Sequence, residues 1–292
     1  MSVPDGTTTP IPTALVSTDW AREHLDHAKV RFLEVDVDTD AYQTGHLPGA
    51  AGINWKRQLT DPVMRDLATR EDLQALLRAA GIDDDTTIVL YGDNHNWFAA
   101  WAYWQLRYQG LDNVKLLDGG RAKVEADGLP LTTDAQDHAP GSVTLPKETR
   151  EELRAYRQEV IDGIGSQDRD LVDVRSPEEF RGELSAPAHL PQEAAQRRGH
   201  IPGAVNVPWS TAVADDGTFK PIDQLRELYA AKGVSGDDEV VAYCRIGERS
   251  SHTWFVLHEL LGYRNVRNYD GSWTEYGSLV GVPIETGEAS AN

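Results

Sequence analysis

The amino-acid sequence contains two copies of one ordered set of segments, and this internal repeat limits the possible folds more than any other feature. The first copy has Val-Asp-Val at residues 35–37 and Gly-His-Leu-Pro-Gly-Ala at residues 45–50. The second has Val-Asp-Val at residues 172–174 and Gly-His-Ile-Pro-Gly-Ala at residues 199–204. Three later pairs are each separated by 152 positions: Tyr91 and Tyr243, Asn113 and Asn265, and Asp118 and Asp270. So many matches in the same order indicate a duplicated domain.

The length of the chain agrees with two domains, because 292 residues exceed what one ordinary hydrophobic core organises. We place the first domain at residues 1–130 and the second at residues 148–292. Residues 131–147 are rich in Thr, Asp, Pro and Gly without a hydrophobic period, which is typical of a linker. Residues 186–198 have no counterpart in the first copy, and we predict a surface loop there.

Both copies alternate apolar strands with amphipathic helices. Short apolar runs predict buried strands at Leu33 to Val37, Thr87 to Tyr91, Leu171 to Val174 and Glu239 to Tyr243. Leucines at helical spacing predict helices at Arg70 to Ala80 and Ile222 to Ala231. This alternation predicts an α/β fold in which each domain is a mostly parallel sheet flanked by helices.

The single cysteine of the chain, Cys244, follows directly after a predicted strand. It begins the segment Cys-Arg-Ile-Gly-Glu-Arg-Ser at residues 244–250, and residues 251–261 have the apolar spacing of a core helix. Ligands of open α/β sheets bind at the carboxyl ends of the strands. Backbone N–H groups at a helix N-terminus stabilise an anion, so we expect a lowered pKa for the Cys244 thiol and a nucleophilic thiolate at the mouth of a pocket.

The net charge of the chain gives a second reason to expect an anion-binding site in the cysteine segment. The formal net charge is -19, which argues against nucleic acid or an acidic membrane as a partner. An anionic substrate must overcome that repulsion, so its site needs concentrated positive charge. Arg245 and Arg249 supply it within the cysteine segment, and Gly247 allows a close backbone approach or a positive φ.

The cysteine segment, the paired Gly-His-(Leu/Ile)-Pro-Gly-Ala segments and Asp-Gly-Ser-Trp at residues 270–273 together resemble the tandem-domain rhodanese family of sulfurtransferases. The resemblance covers nearly the whole chain. It implies two tandem rhodanese-like domains, of which the first is catalytically silent and the second contains the cysteine. At the constant offset Gly92 stands opposite Cys244, so the first copy has no nucleophile and fits that pattern.

By this resemblance the chain is an enzyme, a thiosulfate sulfurtransferase. Cys244 attacks the outer sulfur of thiosulfate, releases sulfite and stores the sulfur as a persulfide, which cyanide or a thiol then removes. The resemblance implies no metal and no organic cofactor. Related enzymes that use 3-mercaptopyruvate usually have Cys-Gly-Ser-Gly, whereas Cys-Arg-Ile-Gly at residues 244–247 resembles the thiosulfate branch, so 3-mercaptopyruvate stays the alternative donor.

The residues expected to bind the donor are those after the cysteine, namely Arg245, Ile246, Gly247, Glu248, Arg249 and Ser250. Two of them depart from the family pattern. Ile246 stands where vertebrate thiosulfate enzymes have lysine, and Glu248 brings a negative charge. Arg249 is therefore the expected substitute for that lysine, and we expect Arg249→Ala to weaken the use of thiosulfate more than it changes stability.

Three candidates have a structural interpretation beside the functional one. Arg175, whose family counterpart lies close to the active site, follows Asp173 at a strand end, where a structural ion pair is at least as well supported as a substrate contact. Arg181 lies in a Phe-Arg-Gly segment that helps bind the carboxylate in mercaptopyruvate enzymes. Ser250 either donates a hydrogen bond to the persulfide or caps the following helix, and the second role is favoured.

Two other classes of function remain open. Cysteine phosphatases and arsenate reductases also place a thiolate in an anion-binding loop, but five residues separate their Cys and Arg, whereas residues 245–248 make four here. The smaller ring suits sulfur better than phosphate. A non-enzymatic sulfur carrier or binding module would use the same loop.

Location and partners follow from composition. One cysteine excludes an internal disulfide, and the first ten residues lack the basic and apolar segments of a secretory signal, so we expect a cytoplasmic protein. No apolar run approaches the roughly 18 residues of a membrane span. The nine histidines show no spacing with cysteine or acids that indicates zinc.

Overall fold

The computed structural model describes residues 14–186 and 195–288. Most of the predicted loop at residues 186–198 therefore lies outside the described residues. The two copies of the repeat form two α/β units, each with one parallel sheet, and the predicted fold class is confirmed. The described part contains no helix that is long and apolar enough to cross a membrane.

The first unit contains a five-stranded sheet in the order β1-β5-β4-β2-β3. Its elements are β1 (Leu15–Val16), α1 (Thr18–His24), β2 (Val30–Glu34), α2 (Ala41–Thr44), β3 (Ala51–Gly52), α3 (Trp55–Gln58), α4 (Arg70–Ala79), β4 (Thr87–Tyr91), α5 (Asp93–Tyr108), β5 (Val114–Leu117) and α6 (Gly120–Ala126). The strand predicted at Leu33 to Val37 lies three residues earlier in the structure, at Val30–Glu34. The prediction extended too far because Val35 is fully buried, as a strand residue would be, although the strand has already ended.

The second unit contains a four-stranded sheet in the order β7-β6-β8-β9. Its elements are a 3-10 turn (Glu151–Leu153), α7 (Arg157–Asp162), β6 (Arg169–Asp173), α8 (Pro177–Phe180), β7 (Val205–Asn206), a 3-10 turn (Trp209–Ala212), α9 (Ile222–Ala230), β8 (Glu239–Tyr243), α10 (Glu248–Trp254), a π-helical turn (Phe255–Leu260), β9 (Val266–Tyr269) and α11 (Ser272–Tyr276). The order matches β3-β2-β4-β5 of the first unit, as the repeat requires.

The two units share one hydrophobic core. Helix α10 packs against α5, the element at the same position in the first unit. Tyr103 meets Phe255 edge to face with ring centroids 4.9 Å apart, and Trp97 meets Trp209 in the same way at 4.9 Å. Aromatic pairs of this geometry add to the apolar burial, so the cysteine segment and helix α10 lie against a packed aromatic layer of the first unit.

Candidate active site

The cysteine segment forms a tight turn between β8 and α10. Cys244 begins directly after Tyr243, and Gly247 precedes the first residue of α10 with φ +96°. A Cβ on Gly247 would lie 2.8 Å from Cα and Cβ of Asp270. The turn therefore needs glycine at this position both for its backbone angle and for its close packing against the segment after β9.

Polar groups surround the sulfur of Cys244. The backbone N–H of Gly247 donates to Sγ at 3.2 Å, and the hydroxyls of Ser250 and Ser272 lie 3.6 and 4.0 Å away. The thiol itself donates to Oε2 of Glu248 at 3.2 Å. The amide of the turn thus points at the sulfur, and a negative charge that develops there meets donors already in place.

The position of the Cys244 thiol disfavours its ionisation. Cys244 is 0% exposed, and burial, together with the nearby Glu248 carboxylate, raises its pKa above the ordinary value of a cysteine. Arg249 and Ser250 act in the opposite direction without cancelling this rise. The sequence-based expectation of a lowered pKa and of a sulfur at the mouth of a pocket is therefore wrong for this structure, because the sequence does not show how far the turn is buried.

Arg249, which the sequence predicts to bind the donor, forms an ion pair with a carboxylate. Its guanidinium donates to Glu179 of α8 through two hydrogen bonds of 2.8 and 3.1 Å, and both side chains are buried. Its Cζ lies 5.6 Å from the ring centroid of Trp97 in the first unit. The charge of Arg249 still lowers the pKa of Cys244, although the same guanidinium is paired with the Glu179 carboxylate.

The remaining candidates in the turn have different surroundings. Arg245 is 2% exposed, and its carbonyl accepts from the backbone N–H of Thr274 at 3.0 Å. Ser250 does not cap α10, because the cap residue is Gly247; its one hydroxyl proton can go either to the Gly247 carbonyl at 3.1 Å or to Sγ of Cys244 at 3.6 Å. The favoured capping role is therefore wrong, and Ser250 stays among the groups that face the sulfur.

The two arginines outside the turn have acidic partners of their own. Arg175 is buried, bonds to Asp173 at 2.6 Å and lies 4.6 Å from the ring centroid of Trp273. Arg181 pairs with Glu183 at 2.8 Å and lies 3.7 Å from Glu288. The structure therefore gives Arg175 a structural ion pair and places Arg181 among surface acids; neither is brought to the sulfur by a described contact.

A cavity of about 840 Å³ lies between the two units and reaches the cysteine turn at Ile246. Arg154 joins its walls, with hydrogen bonds of 2.6 Å to Asp66 of the first unit and 2.9 Å to Asp270 of the second. The lining residues are Trp55, Lys56, Thr60, Asp61, Pro62, Met64, Arg65, Asp66, Leu67, Trp101, Arg154, Ala155, Tyr156, Arg157, Gln158, Ile246, Tyr269, Asp270, Gly271 and Glu275.

Sequence reasoning missed the roles of Ser272 and Glu179. Ser272 was within reach, because the repeat aligns it with Gly120 and the chemistry lies where the copies differ. The backbone N–H of Cys244 donates to the Ser272 hydroxyl at 3.0 Å, which fixes the start of the turn. Nothing local marks Glu179, which meets Arg249 only through the fold.

The same position of the first unit cannot take a side chain. A Cβ on Gly92 would overlap the carbonyl oxygen of Val35. The next residue, Asp93, accepts hydrogen bonds from the N–H groups of Val37 and Asp38 at 2.6 and 3.2 Å. These two N–H groups are therefore already bonded to a carboxylate of the protein itself. Asn94, His95 and Asn96 then follow with left-handed backbone angles. Among the described residues no group of three or more His, Cys, Asp or Glu side chains is arranged to hold a metal.

The fold and the site define a two-unit α/β protein with one thiol in an N–H-lined turn of its second unit. The family model described as "Rhodanese-like domain" matches residues 17–127 and 156–279. The chain belongs to this family.

Similar proteins carry names that agree with this membership. A protein of Mycolicibacterium smegmatis, provisionally named thiosulfate sulfurtransferase, is 58% identical over 94% of this chain and 98% of the relative. The sulfur carrier protein TtuD of Thermus thermophilus is 53% identical over 95% of this chain and 98% of the relative. A structure of an EanB variant, with ergothioneine covalently linked to a cysteine persulfide, has a TM-score of 0.81 and 26% identity over 94% of this chain and 70% of that chain.

Proposed function

We propose that this protein is a sulfurtransferase that moves sulfur from thiosulfate to cyanide or a thiol through a persulfide on Cys244. The observation that carries the proposal is the sulfur itself, which lies in a turn whose Gly247 N–H and Ser250 hydroxyl face it at 3.2 and 3.6 Å. Those donors suit a sulfur that alternates between thiolate and persulfide anion.

The first half of the cycle forms the persulfide. The Cys244 thiolate attacks the outer sulfur of thiosulfate, and the sulfur–sulfur bond of the donor breaks with its electron pair on sulfite. In the second half, cyanide or a thiolate attacks the outer sulfur of the persulfide and the Cys244 thiolate leaves. Neither half needs an oxidant, because sulfur moves between nucleophiles.

We retain two alternatives and one rival. 3-Mercaptopyruvate would supply the same sulfur while pyruvate leaves, and a carrier would take up sulfur once and pass it to a partner. The name of the Thermus relative supports the carrier alternative. A phosphatase or arsenate reductase is disfavoured, because the ring between Cys244 and Arg249 is one residue shorter than theirs and Arg249 is paired with Glu179.

The proposal is tested by comparing thiosulfate with 3-mercaptopyruvate under identical conditions, with cyanide as acceptor. We expect many turnovers per Cys244 with thiosulfate, and a gain of one sulfur atom in the intact mass when the acceptor is omitted. Cys244→Ser is the matched control and must gain none. A mass gain without repeated turnover would support the carrier alternative, and activity on an aryl phosphate without activity on thiosulfate would support the rival. We expect a reducing compartment such as the cytoplasm for a protein with a free thiol.

A further inference from the structure

We propose that Glu248 is the base that takes the proton of the Cys244 thiol, keeps it while the sulfur carries the transferred atom, and returns it at the end of the cycle. The inference rests on the proposed function for its substrate, but its geometry is independent of the donor. Glu248 is one of the two residues by which this turn departs from the family pattern expected from the sequence.

The two reacting atoms are in contact and shielded from water. The thiol donates to Oε2 of Glu248 at 3.2 Å, and Cys244 and Glu248 are 0% and 1% exposed. The backbone N–H of Ile246 donates to the same oxygen at 3.3 Å, which fixes the carboxylate in the turn. A base within hydrogen-bond reach of the proton it removes meets the geometric requirement for general base catalysis.

The second carboxylate oxygen has little to hold it in a purely structural role. Oε1 lies 3.5 Å from Nε of Arg249 and has no hydrogen-bond partner within residues 14–186 and 195–288. Arg249 itself makes its two short bonds to Glu179. Glu248 therefore makes only the longer ion-pair contact to a guanidinium whose two short bonds go to Glu179, so neutralising Arg249 does not by itself account for this carboxylate.

The charge balance of the reaction favours an internal base. Transfer of the proton from Sγ to Oε2 leaves the pair with one negative charge, whereas loss of the proton to solvent would leave two. Thiosulfate is a dianion and the protein already has a net charge of -19, so the internal transfer avoids a further repulsion. The donors of Gly247 and Ser250 then face a thiolate.

The proton can stay in the pair through a whole turnover. The Cys244 thiolate and thiosulfate give the persulfide anion and sulfite, and the persulfide anion and cyanide give thiocyanate and the thiolate. Charge and atoms balance in each step, and neither step consumes a proton. Glu248 then returns its proton to the thiolate, which restores the resting thiol and carboxylate.

Other charged groups around the pair are balanced by partners. Arg249 faces the sulfur from α10 and is paired with Glu179 of α8. Asp270 packs against Gly247 from the end of β9 and is paired with Arg154. His252, one turn further along α10, is buried with its pKa lowered to about 3 by burial and by His95. Arg245 lies within the turn and is common to every variant below.

The experiment measures the pH dependence of Cys244 reactivity in Glu248→Gln, which keeps the shape of the side chain and removes the base. One assay is the single-turnover formation of persulfide from thiosulfate, and the other is alkylation by iodoacetamide, which needs no sulfur donor. We expect a flat profile for the wild-type protein between about pH 6 and pH 9 in both assays, because the proton has an internal acceptor. Glu248→Asp, a shorter base, should retain an intermediate rate.

For Glu248→Gln we expect a loss of about 100-fold at pH 7, the lower end of what a positioned general base contributes, because burial raises the pKa of the Cys244 thiol and disfavours its ionisation without an internal base. The rate should rise about tenfold per pH unit toward the wild-type value. Glu227→Gln, which removes one exposed carboxylate from α9 in the same unit, is the matched control and should behave like the wild type.

A purely electrostatic role of Glu248 predicts the opposite change in the rate of Cys244 at pH 7. The Glu248 carboxylate raises the pKa of Cys244, so its removal alone would make Glu248→Gln faster at pH 7. A variant as fast as or faster than the wild type overturns the inference. A wild-type alkylation rate that climbs tenfold per pH unit overturns it even if Glu248→Gln fails to fold. If thiosulfate gives no persulfide while the alkylation profiles differ as expected, the proposed function fails and the role of Glu248 stands.

Discussion

The buried ion pair between Arg249 and Glu179 predicts a large loss of stability in Arg249→Met. The substitution keeps an apolar stem of similar length but leaves the Glu179 carboxylate, which has 0% side-chain exposure, without its two bonds of 2.8 and 3.1 Å. Removing one partner of a buried pair costs about 3–5 kcal/mol, because the other charge stays buried. We expect a loss in this range, so the effect on stability should be at least as marked as the weaker use of thiosulfate that the sequence predicted as the main effect of Arg249→Ala.

The second partner supplies the test of this reasoning. Glu179→Gln in the Arg249→Met background removes the stranded charge, so the double variant should recover about 2 kcal/mol or more of the loss. The free energies of unfolding are measured by urea titration, with tryptophan fluorescence and circular dichroism as separate probes. Arg226→Met is the control, because its exposed pair with Asp223 is worth about 0–1 kcal/mol. Two results would refute the claim that the Arg249–Glu179 pair is buried and unscreened. One is a cost below about 1 kcal/mol for Arg249→Met, and the other is a double variant that is no more stable than Arg249→Met alone.

Three further predictions concern the turn and its helix. Cys244→Ser should form no persulfide, while its circular dichroism and urea midpoint stay close to those of the wild type; retained transfer would refute the assignment. Gly247→Ala should destabilise the protein by about 1–3 kcal/mol and slow persulfide formation, because its Cβ would lie 2.8 Å from the backbone of Asp270 at φ +96°. Burial and His95 lower the pKa of His252 to about 3, so the folded state keeps this ring neutral while the unfolded chain protonates near pH 6.5. This stability contribution is complete above pH 6.5 and is lost toward pH 3; in urea titrations at pH 7 and pH 5 the wild type should lose about 2 kcal/mol more than His252→Gln, and equal losses would contradict the lowered pKa.

The repeat made most of the fold predictable from the sequence. Two copies of one pattern must form the same arrangement of strands, and the order β3-β2-β4-β5 recurs as β7-β6-β8-β9. The strands Thr87–Tyr91 and Glu239–Tyr243 have the predicted ends. The ends of β2 and β6 were less well predicted, since burial continues through Val35 and Val174 after the backbone pairing has stopped.

The electrostatics of the site were not predictable in the same way. The sequence shows Arg245 and Arg249 in one short segment and thereby suggests free positive charge. It does not show that Glu179, which is 70 positions away in the chain, meets Arg249 in the fold. A count of charges in a segment therefore overestimates its field whenever the partner lies on another element, as α8 does here.

The buried sulfur and the paired arginine together change how an anion can be used at this site. Two exposed arginines in the loop would attract thiosulfate by charge alone, but here burial raises the pKa of Cys244 and Arg249 is paired with Glu179. The N–H of Gly247 and nearby hydroxyls add attraction that is neutral and acts at short range. Such a site favours a reaction that leaves its own net charge unchanged. The conversion of thiosulfate and cyanide to sulfite and thiocyanate is a reaction of this kind. A carboxylate beside the nucleophile, which opposes ionisation of the thiol when it is itself ionised, assists the reaction once it carries the proton.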